Sequence, residues 1–225
     1  MWYDKISATA HVRRPSPKEG SFVKRTLTVL IALLLCLGLL TGCRESDPPA
    51  LEEIYDEAVA LIEASYAVND AVFGYGLPVW SIDEEHSHLA GIYRDSDSAA
   101  YERVTDRTPY LSVGELREAM EAVYSADYVE SLGETLFDGF VVGSTVVRAQ
   151  LYESEDGLYQ SADREVLIPR QRIYDYATMR VVKPSNAHFV TLAIESRLPG
   201  EQETLTVHLS LILEDDGWRL DTPTY

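Results

Sequence analysis

An α+β fold, with helices first and an antiparallel sheet after, is the class this sequence predicts, and three observations predict it. Apolar residues recur at three- and four-residue spacing over 51–73 and again over 116–137. After residue 139 the spacing becomes two and the composition β-branched. The strands then follow one another through short turns with no helix between them, so helix and sheet are segregated rather than alternating. The sheet is expected to curl around the helices as a cone or half-open cup.

The first helix is predicted over Leu51–Phe73. Leu51, Ile54, Tyr55, Ala58, Leu61, Ile62, Ser65, Tyr66, Asn69, Val72 and Phe73 form its stripe, Asp47 and Pro48-Pro49 precede it, and Gly74 is placed to stop it. Asn69 falls on that stripe, so it needs a buried partner or an edge position. "FGYGLPVW" (73–80) is a tight, packed connection. Residues 81–99 are polar and turn-rich, a surface loop, and "AAYERVTD" (99–106) is a short strand. Ser112 and Glu115 form a capping box ahead of a second helix carrying Leu116, Ala119, Met120, Val123 and Tyr124. Ser125 caps a third, with Tyr128, Val129, Leu132, Leu136 and Phe137, which Asp138-Gly139 ends.

The strands come next. "STVVRAQLYE" (144–153) is one strand, turned by "EDG" (155–157) onto "LYQSA" as a hairpin. "RIYDYATMRVV" (172–182), "HFVTLAIESR" (188–197) and "ETLTVHLSLILE" (203–214) are three long strands, joined at "KPSN" and "LPGEQ". "DDG" (215–217) opens "WRLDTPTY", a last or edge strand.

A segment of another kind stands ahead of this domain. Leu27–Leu40 is apolar apart from Thr28, with Cys36 and Gly38 inside it. At about 1.5 Å per residue it makes a helix of roughly 21 Å, short of a ~30 Å hydrocarbon core. Lys24 and Arg25 precede it and the small pair Thr41-Gly42 follows, the layout of a secretory signal. Leu40-Thr41-Gly42-Cys43 resembles a bacterial lipobox. The resemblance implies diacylglycerol on the Cys43 sulfur, cleavage between Gly42 and Cys43, and a lipoprotein on the outer face of the cytoplasmic membrane.

Residues 1–22 do not fit that layout and read as a misassigned upstream extension. Val23 can be encoded by GUG, and Lys18-Glu19-Gly20 by a purine-rich ribosome-binding sequence, so translation is expected to start at 23. The expected division is an extension at 1–22, a signal peptide at 23–42, a lipid-bearing tether at 43–50 and one domain at 51–225.

Charge and cysteine usage bound the partners. The formal net charge is −18. Residues 1–42 hold six basic side chains and two acidic ones, so the processed chain keeps 13 basic and 35 acidic, a net charge of −22. Such a surface repels phosphate backbones, which excludes nucleic acid as the expected partner. It also repels an anionic bilayer within a Debye length of ~8 Å. Membrane attachment is therefore expected through lipid on Cys43, two acyl chains meeting the requirement for stable anchoring. The short tether "RESDPPA" (44–50) reaches at most ~25 Å. Cys36 leaves with the signal and Cys43 is acylated, so no thiol remains for a disulfide, a zinc cluster or a nucleophile.

The order of elements resembles the nuclear-transport-factor-two-like fold, amino-terminal helices in the mouth of a curved antiparallel sheet. "LSVGELREAMEAVYSADYVESL" (111–132) resembles the IseA-type inhibitors of bacterial cell-wall DL-endopeptidases and lipoproteins related to them. "DDGWRLDTPTY" (215–225) is similar to the closing strand of clostridial lipoproteins. These resemblances imply a fold and a cell-envelope location, and they carry no functional residue onto this chain.

Candidate chemistry is sparse. Asp83, Glu84, Glu85, His86 and His88 form the sharpest cluster, and Glu85, His86 and His88 are the metal candidates. Zinc wants three or four converging ligands, and no further ligand stands at a standard spacing, so a solvated acidic loop is expected and no metal site is assigned. His188 and His208 lie on neighbouring predicted strands. His208 has Thr206 and Ser210 as its two-residue neighbours, opposite the apolar Leu205, Val207, Leu209 and Leu211, which puts it on the wetter face. No nucleophile elbow, phosphate-binding glycine loop or His-Glu-x-x-His is present, so no catalytic residue and no cofactor is assigned. The fourteen tyrosines are expected in the core with hydroxyls at its edge, some lining a groove for sugar or peptide.

The leading expectation is a lipid-anchored, non-enzymatic binding domain whose acidic surface meets a basic cell-wall protein, as a regulator or inhibitor of a cell-wall hydrolase. The competing class is a small-molecule or catalytic cup. An interior filled by Leu, Val and Tyr favours the first, and an open cavity with converging Asp and His the second.

Overall fold

The computed structural model describes residues 47–80, 92–94, 100–168 and 170–225, all within one compact unit. The fold is α+β with antiparallel sheets.

Helix α1 (Leu51–Val72) begins where Pro48-Pro49 ends, at an extended Ala50 whose N–H donates to Glu53 Oε2 at 2.9 Å. Glu52 and Glu53 in the first turn suit the positive end of the helix dipole. Ile54, Ala58, Leu61, Ile62, Ser65, Asn69 and Val72 are buried as the periodicity predicts, and Val68 and Ala71 join them where both sides of the last turns are covered. The helix ends at Val72 with Phe73 as its C-cap, and Gly74 packs so close behind it that a Cβ there would lie 2.4 Å from Asp70 Oδ1 and 2.8 Å from Asp70 Cα.

Helix α2 (Val113–Glu121) is capped by Ser112 Oγ, which accepts from the Glu115 N–H at 3.0 Å. The Glu115 carboxylate reaches one residue further back than a capping box requires, accepting from the Leu111 N–H at 2.6 Å. Helix α3 (Ala126–Gly133) starts at Ser125, whose Oγ accepts from the Tyr128 N–H at 3.2 Å and donates to Asp221 Oδ1 at 2.5 Å. Beyond Gly133 the last turn widens into a π-helical turn over Glu134–Asp138, closed by the Gly139 N–H on Glu134 O at 2.6 Å.

The strands are β1 (Ile92–Arg94), β2 (Ala100–Arg103), β3 (Phe140–Val142), β4 (Thr145–Val147), β5 (Leu151–Ser154), β6 (Gly157–Ser161), β7 (Ile173–Val182), β8 (Phe189–Arg197), β9 (Leu205–Glu214) and β10 (Gly217–Leu220). Among the described residues they fall into separate hydrogen-bonded sheets rather than one continuous sheet. The small sheet runs β1-β2-β6-β5, the large sheet β10-β9-β8-β7, and β3-β4 is a separate hairpin. The division falls at residues 162–172, where the chain leaves β6 to pack beneath the end of α1. There Leu167 and Ile168 both donate to Phe73 O at 2.9 Å.

A correction concerns 144–153, expected as one strand. It breaks at 148–150. Gln150 turns inward, its Nε2 donating to Val72 O at 2.7 Å and its N–H to Thr135 O at 3.1 Å. It thereby satisfies an orphan carbonyl at the end of α1. The piece before the break pairs with β3 and the piece after it with β6.

The large sheet carries the core. Val190, Leu192 and Ile194 of β8 alternate inward with Leu209 and Leu211 of β9, paired Leu192 with Leu209 and Val190 with Leu211. A register shift between Asp175 and Arg180 on β7 leaves both Tyr174 and Met179 in the core. Leu205, expected on the apolar side of β9, is exposed because the strand's start runs past its cover. The outer edge of β10 is covered by the α2–α3 junction. Leu220 donates to Val123 O at 2.9 Å and accepts from the Ser125 N–H at 2.8 Å, a parallel bridge in place of a free edge.

Candidate binding groove

The middle of the fold, where a cup would hold its site, is occupied by the chain's own groups. After β10 the chain turns back and buries Thr224 completely. Its hydroxyl lies 2.6 Å from Ser65 Oγ and accepts from Asn69 Nδ2 at 2.8 Å. The Tyr174 hydroxyl donates to Thr224 O at 2.7 Å, and the Tyr124 hydroxyl donates to Asn69 Oδ1 at 2.7 Å. Asn69 has the buried partners its place on the stripe demands. Burial raises the phenol pKa of both Tyr124 and Tyr174 above its ordinary value. Every member of this cluster is hydrogen-bonded within the chain, so it closes the core.

A concave surface lies elsewhere, between the β3–β4 hairpin and the small sheet. Gly139, with φ +71 and ψ 165, adopts a backbone that only glycine takes readily. A Cβ there would stand 2.8 Å from Val147 O. This bend places Phe137 and Asp138 on one wall of a groove of about 370 Å³. The hairpin supplies Phe140, Val141, Val146 and Val147, and the floor is Tyr101 and Tyr152. Tyr101 and Tyr152 tilt against each other at 5.8 Å, and Tyr152 and Tyr159 at 6.4 Å, so three rings run across β2, β5 and β6. The Tyr101 hydroxyl donates to Ala149 O at 2.8 Å and fixes the floor to the segment that closes the hairpin.

Beyond Tyr159 the surface becomes polar. The Tyr159 hydroxyl donates to Asp156 Oδ2 at 2.9 Å, and Arg103 donates to Asp156 O. That phenol bond, with a Ser154 bond and the nearby guanidinium, holds the Asp156 carboxyl below its usual range. Burial, then the same bond, raises the Tyr159 phenol. A second concavity of about 280 Å³ lies there, with Trp80, Arg103 and Asp156 in its lining.

On the other side of Asp138 is an acidic pocket. Asp127, Glu130, Glu134 and Asp138 line it together with Arg117. The Arg117 guanidinium of this pocket lies 4.6 Å over the ring of Phe137, which lines the groove, so a cation–π contact joins the two concavities. The arrangement offers apolar contact, aromatic faces and carboxylates, which suits binding.

His188 and His208 are both exposed and far apart. His188 O accepts from the Leu213 N–H, and His208 lies five residues earlier on that strand, about 17 Å away. Glu85, His86 and His88 lie outside the described residues, as do Leu40, Thr41, Gly42 and Cys43. Among the described residues no group of three or more His, Cys, Asp or Glu side chains is placed to hold a metal ion, and no helix is long and apolar enough to cross a membrane. The hairpin itself went unread in the sequence. Its signal is the symmetry of "VVGSTVV" (141–147) about Gly143-Ser144. No protein-family profile and no curated protein matches this chain.

Proposed function

We propose that this chain is a lipid-anchored, extracytoplasmic binding domain. Lipid on Cys43 holds it at the membrane, and it engages a basic partner at the cell wall, acting as a regulator or inhibitor of a wall hydrolase rather than as a catalyst. One observation supports the reading above all. The interior is filled by Tyr124, Leu192, Ile194, Leu209 and the Thr224 cluster, while an apolar, aromatic-floored groove with acidic neighbours stands open at the surface. A packed interior leaves little room for a site inside a cup, and the groove offers a concave binding surface outside it. The processed charge of −22 favours a cationic partner and accelerates its approach.

The test is affinity capture from the membrane and wall fraction of the native host, using residues 44–225 as bait. Recovery of a basic wall hydrolase that is lost as salt is raised to about 0.5 M supports the proposal, since exposed charge pairs are screened at that strength. Recovery of nothing in repeated captures, or turnover of a small molecule by the bait alone, contradicts it.

A further inference from the structure

Resting on the reading of the groove as a binding site, we propose its occupant: an extended polypeptide segment that puts an apolar side chain into the groove and a lysine or arginine into the acidic pocket beside it. The hairpin is the first ground. Val141, Val142 and Val146 are 67%, 61% and 56% exposed. Val141 pairs with Val146 on one face, and Phe140 with Val147 on the other. A two-stranded ribbon is marginal alone in water, and contiguous exposed apolar surface marks an interaction site. The ladder of each of its strands is one-sided among the described residues, which leaves backbone groups for an added strand.

Charge is the second ground, and it selects among occupants. Asp138 lines both concavities, and the pocket it shares holds four carboxylates against one guanidinium. A cation one or two residues from an apolar anchor meets that pocket while the anchor sits against Val146 and Tyr152. An anionic bilayer is repelled by the same carboxylates, and a second copy of this chain brings its own large negative charge to the contact. A glycan would meet Asp138 and Arg148 beside the valine walls, and the chitotetraose arm of the test below decides between it and the peptide.

The experiment uses the full lipidated chain in phosphatidylcholine nanodiscs. The probe is a short fluorescein-labelled peptide alternating lysine with valine and phenylalanine, followed by anisotropy with empty nanodiscs subtracted. Saturable binding is expected, about tenfold or more weaker for the double variant Val141→Ser/Val146→Ser and for the peptide with glutamate in place of lysine. Asp138→Asn is the independent check on charge, and it also weakens the lysine peptide alone. Equal affinity for the lysine and glutamate peptides overturns the proposal. Chitotetraose binding at the valines while the peptide does not bind overturns it too, and leaves the groove's role standing. A self-association or a lipid contact that the serine variants abolish, without peptide binding, gives the face to a second copy or to the bilayer and overturns it. No binding of either probe overturns both this inference and the reading of the groove.

Discussion

Thr224 Oγ1 stands between Ser65 and Asn69 with no solvent access, so the two residues of α1 that break its apolar stripe are satisfied by a residue at the far end of the chain. Thr224→Val keeps the shape and removes the hydroxyl, leaving Asn69 Nδ2 short of a partner while Ser65 Oγ keeps its bond to Ile62 O. The expected cost is about 1–3 kcal/mol, read as a lower denaturant midpoint at unchanged slope. An unchanged midpoint would show that the cluster is incidental. The phenols nearby add a pH dependence. Burial keeps Tyr124 and Tyr174 protonated in the folded state above the ordinary tyrosine value of 10.0. Below that value both states hold these protons and the two groups make no pH dependence. Above it the unfolded chain releases protons that the folded chain keeps, so stability falls, by about 1.4 kcal/mol per pH unit for each group. Urea midpoints measured at about pH 8 and about pH 11 check the sign, and a higher value at the alkaline pH contradicts it. Asn69's demand for a partner was legible from its helical position. The partner's identity was not, because nothing local to residue 69 encodes a contact with residue 224.

At the scale of elements, local signals were read well where they were self-contained. Ser112 and Ser125 start their helices, and "EDG" turns β5 onto β6. The strand expected at 144–153 failed for a non-local reason. Gln150 is recruited by the end of α1 and by Thr135, and that recruitment breaks the strand and releases the hairpin that walls the groove. Gly139→Ala tests the bend on which the hairpin depends. A side chain at that φ and ψ costs about 1–3 kcal/mol and meets Val147 O at 2.8 Å. The expected result is faster proteolysis within 139–147 at little cost to the large sheet. Cleavage rates equal to the parent's would show that the bend does not hold the hairpin. The same variant is expected to lose the peptide binding inferred for the groove.

For the molecule as a whole, the fold class was legible because helical periodicity dominates before residue 139 and two-residue periodicity after it, although β1 and β2 stand between the first two helices. The single curled sheet was not borne out. Pairing between β2 and β6 draws the small sheet away from the β7–β10 meander, and a pairing across more than fifty residues leaves no mark in local composition. Aromatic content alone did not say which rings lie together. Tyr101 and Tyr152 of the groove, with Tyr159 beside them, come from three strands and meet only through register. The proposed role joins this groove to an acidic body tethered by a few residues to a membrane, a geometry in which partner and domain share a thin layer of wall. The anchor is its central claim. Mass spectrometry of the protein extracted from native membranes tests it most directly: the account predicts a chain beginning at Cys43 with diacylglycerol on its sulfur, and a free Cys43 thiol or a retained segment before it would contradict the account.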